Sequence, residues 1–182
     1  MIAYAITDPS ILSFDRLVSD LQRIRARGAN MILYRDKKAP DYEEKAAQFV
    51  PAARKAGFER ILLHDRPELA QELGADGVHL SSGRMELLPR IQEIDRFVSI
   101  VSTHNLPEAL GAEELGASMV TLSPLYASPG KGTPLGAERF REIVRHLEIP
   151  VIALGGILHK EEIEHTLSLG AVGFASIRYF SH

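Results

Sequence analysis

Residues Val151–Ile157 read V-I-A-L-G-G-I and follow Pro150. The run is apolar, long enough for a strand and too short for a helix, and it runs into two glycines. Glycines at a strand's exit let backbone N–H groups come close to a ligand, with no Cβ in between. A second apolar run, Val172–Ile177, follows one helical stretch later and leads through Ser176 and Ile177 to Arg178. Consecutive strand exits carrying Gly-Gly and then Ser and Arg point to a phosphate cradle of the kind built after the last two strands of an eight-stranded β/α barrel. A tight strand-to-helix turn without a ligand is the simpler explanation of the glycines by themselves. The rest of the chain decides between the two.

Working outward, apolar runs of strand length recur at near-regular intervals: Ile2–Thr7, Met31–Arg35, Ile61–His64, Gly77–Leu80, Phe97–Ser102 and Met119–Ser123, then Val151–Leu154 and Val172–Ile177. Between them lie stretches of helical periodicity. Phe14–Arg27 puts Leu17, Leu21 and Ile24 on one face, and Tyr42–Ala56, Pro67–Leu73, Met85–Ile94, Pro107–Leu115, Ala137–Leu147 and Lys160–Leu169 follow the same pattern. Glycines 28, 57, 74, 116 and 170 stand where left-handed caps would stop five of these helices. Pro67 and Pro107 occupy first-turn positions, where a missing N–H costs nothing.

Strict alternation of strand and helix implies a parallel sheet, and strands that are apolar throughout suit a sheet buried on both faces. Eight of them predict a closed (β/α)8 TIM barrel spanning residues 1–182 as one domain. The alternative is a doubly wound open sheet, against which stands the lack of a G-x-G-x-x-G after the first strand. Five residues follow Ile177, so the eighth helix is expected to be missing or vestigial. The seam between first and last strands would then be thinly covered, and a second copy of the chain, forming a homodimer, is expected to cover it.

Composition narrows the function. Hydrophobic residues make up 45% and charged residues 25% of the 182, ordinary for a globular protein with a real core. The net charge of −3 offers no basic field for nucleic acid or an anionic membrane. There are no cysteines, which excludes disulfides and cysteine-based zinc sites and agrees with a reducing cytoplasm. No apolar run approaches the roughly 20 residues that span a bilayer. The start, M-I-A-Y-A-I-T-D-P-S, reads as a strand and turn rather than as a signal peptide, so a cytoplasmic location is expected.

In β/α barrels the chemistry sits at the C-terminal ends of the strands. Those ends carry Thr7 and Asp8; Tyr34, Arg35, Asp36, Lys37 and Lys38; His64, Asp65 and Arg66; His79, Ser81, Ser82 and Arg84; Ser102, Thr103, His104 and Asn105; Ser123, Tyr126, Ser128 and Lys131; and Gly155, Gly156, Ser176 and Arg178. Cations and hydroxyls dominate, which points to a small phosphorylated substrate. Arg35-Asp36-Lys37-Lys38, taken alone, is as readily a solvated charge run. His64, His79 and His104 with Asp65 could form a metal cluster, but none belongs to a ligand motif, and hydrogen-bonded histidines explain them better. The stretch Ser123–Gly136, S-P-L-Y-A-S-P-G-K-G-T-P-L-G, is too long for a minimal strand-to-helix link. It offers Lys131 as an accessible cation able to close over a phosphate.

Together, Y-A-I-T-D-P (Tyr4–Pro9), L-Y-R-D-K (Leu33–Lys37), Leu63–Leu80 ending in G-A-D-G-V-H-L, S-T-H-N (Ser102–Asn105), Ser123–Lys131, Val151–Ile157 and Gly170–Ile177 resemble the thiamine phosphate synthase and TenI (thiazole tautomerase) family. The resemblance covers nearly the whole chain in order. It implies a (β/α)8 barrel and a transferase of thiamine biosynthesis that joins a pyrimidine diphosphate to a thiazole phosphate with Mg2+, releasing pyrophosphate. By resemblance, Arg35, Lys37 and Lys131 would stabilise the departing diphosphate, Ser102 would assist, and Asp65 would hold the metal. Gly155, Gly156 and Ser176, with Ser128, would bind substrate phosphate.

Some positions depart from the synthase pattern. Tyr34 stands where synthases place a glutamine against the pyrimidine, and His64 replaces the asparagine beside the metal aspartate. G-V-H-L-S-S-G leads to Arg84 instead of a second metal-binding aspartate. A guanidinium there disfavours a bound dication, and Arg84 is expected instead to grip the diphosphate itself. Tyr34, His64 and Arg84 are thus expected as substrate-binding residues. L-S-P-L-Y, A-L-G-G-I and A-S-I-R also resemble the synthase-like domains fused to Nudix hydrolases. Three readings stay open: a synthase, a TenI-like thiazole phosphate tautomerase, and a non-catalytic module binding a thiamine-related phosphate.

Overall fold

The computed structural model describes residues 1–182, and its eight strands close into one parallel barrel in chain order. They are β1 (Ile2–Ile6), β2 (Met31–Tyr34), β3 (Arg60–His64), β4 (Gly77–Leu80), β5 (Val98–Thr103), β6 (Met119–Leu122), β7 (Val151–Leu154) and β8 (Gly173–Ser176). Closure is made by β1 against β8, with Ile2 paired to Gly173 and Ala5 to Ser176. The open-sheet alternative is thereby excluded.

Seven helices follow the first seven strands: α1 (Leu17–Ala26), α2 (Tyr42–Lys55), α3 (Pro67–Glu72), α4 (Leu88–Ile91), α5 (Leu106–Glu114), α6 (Gly136–Arg145) and α7 (Lys160–Ser168). The five glycines expected to end helices all take positive φ, between 70° and 101°.

Strand alternation splits the apolar residues into two cores. Inside the barrel lie Tyr4, Ile6, Met31, Leu33, Leu62, Ile100, Met119 and Ile152. Between barrel and helices lie their neighbours in sequence, such as Ile32, Tyr34, Ile61, Leu63, Val101 and Val120, packed against Leu21, Phe49 and Phe140 of the helices. Each strand therefore reads as a continuous apolar run because both of its faces are buried.

One segment differs from the sequence expectation. Met85–Ile94 is not one helix: a 3-10 stretch, Ser82–Leu87, is interrupted at Arg84 (φ −121°, ψ 20°) and only then gives way to α4. Pro89 sits in the first turn of α4. A residue without an N–H can begin a helix but not continue one from the preceding turn, so the helix starts late and stays short.

The seam follows the expectation of a missing or vestigial eighth helix: a 3-10 turn, Arg178–Phe180, takes its place. Phe180 is fully buried and stacks on Phe174 of β8 with ring centroids 5.8 Å apart. Arg23 of α1 donates to the carbonyl oxygens of Phe180 (2.5 Å) and Ile11 (2.6 Å), and Arg27 donates to that of Tyr179. The chain's own C-terminal turn thus lies over the seam. No helix is long and apolar enough to cross a membrane.

Candidate active site

At the C-terminal end of the strands lies a cavity of about 560 Å3. Of the residues given a site role from the sequence, it is lined by Arg35, Lys37, His64, Ser102, Ser128, Lys131, Gly155, Gly156 and Ser176. Arg178 adds a fourth cation, and Asp8 is the sole carboxylate on the wall. Tyr34, Asp65 and Arg84 are not part of that wall.

Three cations meet although they come from opposite sides of the barrel. Arg35 and Lys37 leave β2, while Lys131 sits on the long loop between β6 and α6. The Lys131 ammonium is held below the ordinary lysine range, first by burial and then by the charges of Arg35 and Lys37. Like charges gathered around one space await an anion.

The loop carrying Lys131 is tied at its base. Leu125 N donates to Leu154 O (2.9 Å), Tyr126 N to Gly155 O (3.0 Å), and Leu135 N to Pro124 O (2.8 Å). This gives the Gly-Gly exit a reason that precedes any ligand. Gly155 has φ +101°, and a Cβ there would stand 2.7 Å from Pro124 Cα; a Cβ on Gly156 (φ +70°) would stand 2.6 Å from Ala127 O. The glycines thus let the loop lie across the exit of β7 while their backbone faces the cavity. Ser176 is also engaged: its hydroxyl donates to Ile157 O (3.0 Å) and accepts from Tyr179 N (3.1 Å), tying the exits of β7 and β8 to the C-terminal turn.

On the cavity floor is a group that the sequence placed among the strand ends, as a hydrogen-bonded histidine, without giving it a role in the site. His79 of β4 is buried, stacked on Tyr4, with Nδ1 2.8 Å from Tyr4 Oη and Nε2 2.9 Å from Ser102 Oγ. Burial, then the neighbouring His64, lowers its pKa to about 3. A neutral imidazole has one N–H and one lone pair, so one ring nitrogen donates and the other accepts, and the Ser102 hydroxyl is held in a fixed direction. The signal was in the alternation: Val78 and Leu80 belong to the outer core, so His79 faces inward.

His64 is likewise neutral, its pKa lowered to about 4 chiefly by burial, with Asp65 opposing and Arg35, Lys37 and Arg84 adding to the shift. Its Nε2 stands 3.6 Å from the Asp65 carboxylate. His104 reaches the cavity rim with Nδ1 2.9 Å from Glu108 Oε2.

Asp65, the expected metal ligand, braces two strand exits. Its backbone lies at φ +53°, its N–H donates to His79 O (3.0 Å), and its two carboxylate oxygens accept from Ser81 N and Ser81 Oγ, both at 2.8 Å. Arg84 pairs with Glu86 (3.2 Å) on the surface instead of facing the cavity. No group of three or more His, Asp or Glu side chains is placed to hold a metal ion. Asp65 lies off the cavity wall with both oxygens hydrogen-bonded, and Asp8 is the one carboxylate on the wall, so no pair of carboxylates is presented to a Mg2+ ion there.

Tyr34 is displaced by one step of the strand. Leu33 faces the cavity; Tyr34 points outward and packs between Phe14, Tyr42 and Phe49, its hydroxyl buried without a partner.

A family model described as thiamine monophosphate synthase matches residues 3–180. The chain is 33% identical over 184 residues to the thiamine-phosphate synthase of Roseiflexus sp. (strain RS-1), covering 97% of this chain and 76% of that protein. It is 30% identical over 179 residues to the thiamine-phosphate synthase of Chloroflexus aurantiacus, covering 96% and 82%. Among solved structures, the thiamine phosphate pyrophosphorylase from Pyrococcus furiosus superposes with a TM-score of 0.81 at 29% identity, over 97% of this chain and 85% of that one. With a closed barrel, a cationic mouth and a match along nearly its whole length, the chain belongs to the thiamine monophosphate synthase family.

Proposed function

We propose that the barrel mouth is the active site of a thiamine phosphate synthase-like transferase of thiamine biosynthesis, joining a hydroxymethylpyrimidine diphosphate to a thiazole phosphate. The observation that carries this reading is the convergence of Arg35, Lys37 and Lys131 on one cavity. In the reaction the bond from the pyrimidine methylene carbon to the diphosphate oxygen breaks, its electron pair leaves with pyrophosphate, and the thiazole nitrogen forms the new bond to that carbon. Negative charge grows on the bridging oxygen as it departs, and fixed cations are worth most where charge develops.

Each remaining group has a part in this scheme. The Ser102 hydroxyl, aimed by His79, hydrogen-bonds the diphosphate. The Gly155–Gly156 backbone and Ser128 receive the thiazole phosphate, and Ser176 holds that turn in place. Substrates carrying several charges do not cross a bilayer unaided, so the reading also places the enzyme in the cytoplasm.

A second reading has its own support. His64 is neutral and on the cavity wall, so it can accept a proton, as isomerisation of a thiazole phosphate would require. Two incubations separate the readings. Thiamine phosphate formed from both substrates supports the transferase. Conversion of the thiazole phosphate tautomer alone, with no coupled product, supports the isomerase. Binding without turnover in either incubation leaves a non-catalytic module.

A further inference from the structure

Resting on the transferase reading, we infer that this chain holds the diphosphate directly with Arg35, Lys37 and Lys131, with no divalent cation between ligand and protein, and that Asp65 is a brace between β3 and β4. Magnesium at such a site is held by one or two carboxylates that face the ligand, together with the ligand's phosphate oxygens and water. Asp65 is the acidic residue expected there, yet it lies off the cavity wall and both its oxygens accept from Ser81, at 2.8 Å each. The position that would supply a second carboxylate is Arg84, whose guanidinium turns away to Glu86.

Charge on the cavity wall leads to the same conclusion. It carries four cations, Arg35, Lys37, Lys131 and Arg178, against the single carboxylate of Asp8. That excess can neutralise a diphosphate without help from a dication, and adding Mg2+ among three converging cations increases their repulsion. The structure also corrects the expectation that Arg84 takes the metal's place: the replacing charges are those of β2 and the β6–α6 loop.

The backbone of Asp65 supports its role as a brace. A positive φ at a residue other than glycine is costly and is kept only where surrounding bonds hold it. Here three bonds do so, one from the Asp65 N–H to His79 O and two into the carboxylate from Ser81. They fix the ends of β3 and β4, on which His64 and His79 stand.

The test is calorimetric titration of the intact protein with inorganic pyrophosphate, once in EDTA and once in excess Mg2+. Binding is expected in EDTA, with Mg2+ leaving it unchanged or weakening it, because metal-complexed pyrophosphate carries less charge. Lys37→Ala should lose roughly 10- to 100-fold in affinity in EDTA, the worth of a hydrogen bond to a charged group. Binding that appears or strengthens only with Mg2+ overturns the metal-free site and leaves the transferase reading standing. No binding under either condition overturns the transferase reading, and the inference with it.

Discussion

His79 Nε2 and Ser102 Oγ meet at 2.9 Å on the floor of the cavity, and the other ring nitrogen of His79 is held by Tyr4. A buried imidazole with both nitrogens engaged orients the serine, and burial keeps the pKa values of His79 and the nearby His64 well below the usual histidine range, so both are neutral at pH 7.

This makes stability depend on pH with a definite sign. Above about pH 6.5 both imidazoles are neutral in folded and unfolded chains alike. As pH falls below that value the unfolded chain takes up protons that the folded chain refuses, so stability is lost. Each group contributes up to about 1.4 kcal/mol per pH unit. The loss from His64 levels off near pH 4 and that from His79 near pH 3. Denaturation at pH 7 and pH 5 should show a smaller drop for His64→Gln than for the wild type; equal drops would remove His64 from this account.

Gly155 and Gly28 both have positive φ but differ in surroundings: a Cβ on Gly28 meets nothing within 4 Å, whereas one on Gly155 meets Pro124 at 2.7 Å. Gly28→Ala should cost only backbone strain, about 1–2 kcal/mol. Gly155→Ala adds displacement of the loop, for a total of about 2–5 kcal/mol. Unfolding midpoints measure the difference, and equal losses would show that the loop does not rest on the glycine.

Tyr34 keeps a hydroxyl buried without a partner. Tyr34→Phe removes an unsatisfied polar atom, so stability should hold or rise by up to about 1 kcal/mol. Because Leu33 lines the cavity and Tyr34 does not, KM for the pyrimidine diphosphate should not change. A raised KM would return Tyr34 to the site.

Phe180 closes the barrel seam from within. Phe180→Ala should cost about 3–5 kcal/mol, as for other fully buried aromatics. Retained stability together with self-association would show that a second copy covers the seam after all.

The fold was legible because parallel strands buried on both faces leave unbroken apolar runs, and eight such runs separated by helical periods leave few architectures. The site was legible down to which strand ends carry charge. Orientation was harder to read. The resemblance put Tyr34 at the position of the synthases' glutamine, although the period of two in β2 sends Leu33 inward and Tyr34 outward. The same alternation in β4 brings His79 inward. Asp65 and Ser176 illustrate another limit: their positions suggested ligand contacts, but their side chains bond Ser81 in the one case and Ile157 and Tyr179 in the other. The Asp65–Ser81 and Ser176–Ile157 pairings join residues 16 and 19 positions apart and leave no mark in local pattern.

The central claim is that Arg35, Lys37 and Lys131 stabilise a departing diphosphate. Single-turnover formation of thiamine phosphate from bound pyrimidine diphosphate and thiazole phosphate, compared between the wild type and Lys131→Ala, tests it most directly. The account predicts product from the wild type and a rate lower by roughly 100-fold or more in the variant, the usual worth of one group that meets developing charge. A wild type that forms no product, or a variant that keeps the wild-type rate, would contradict it.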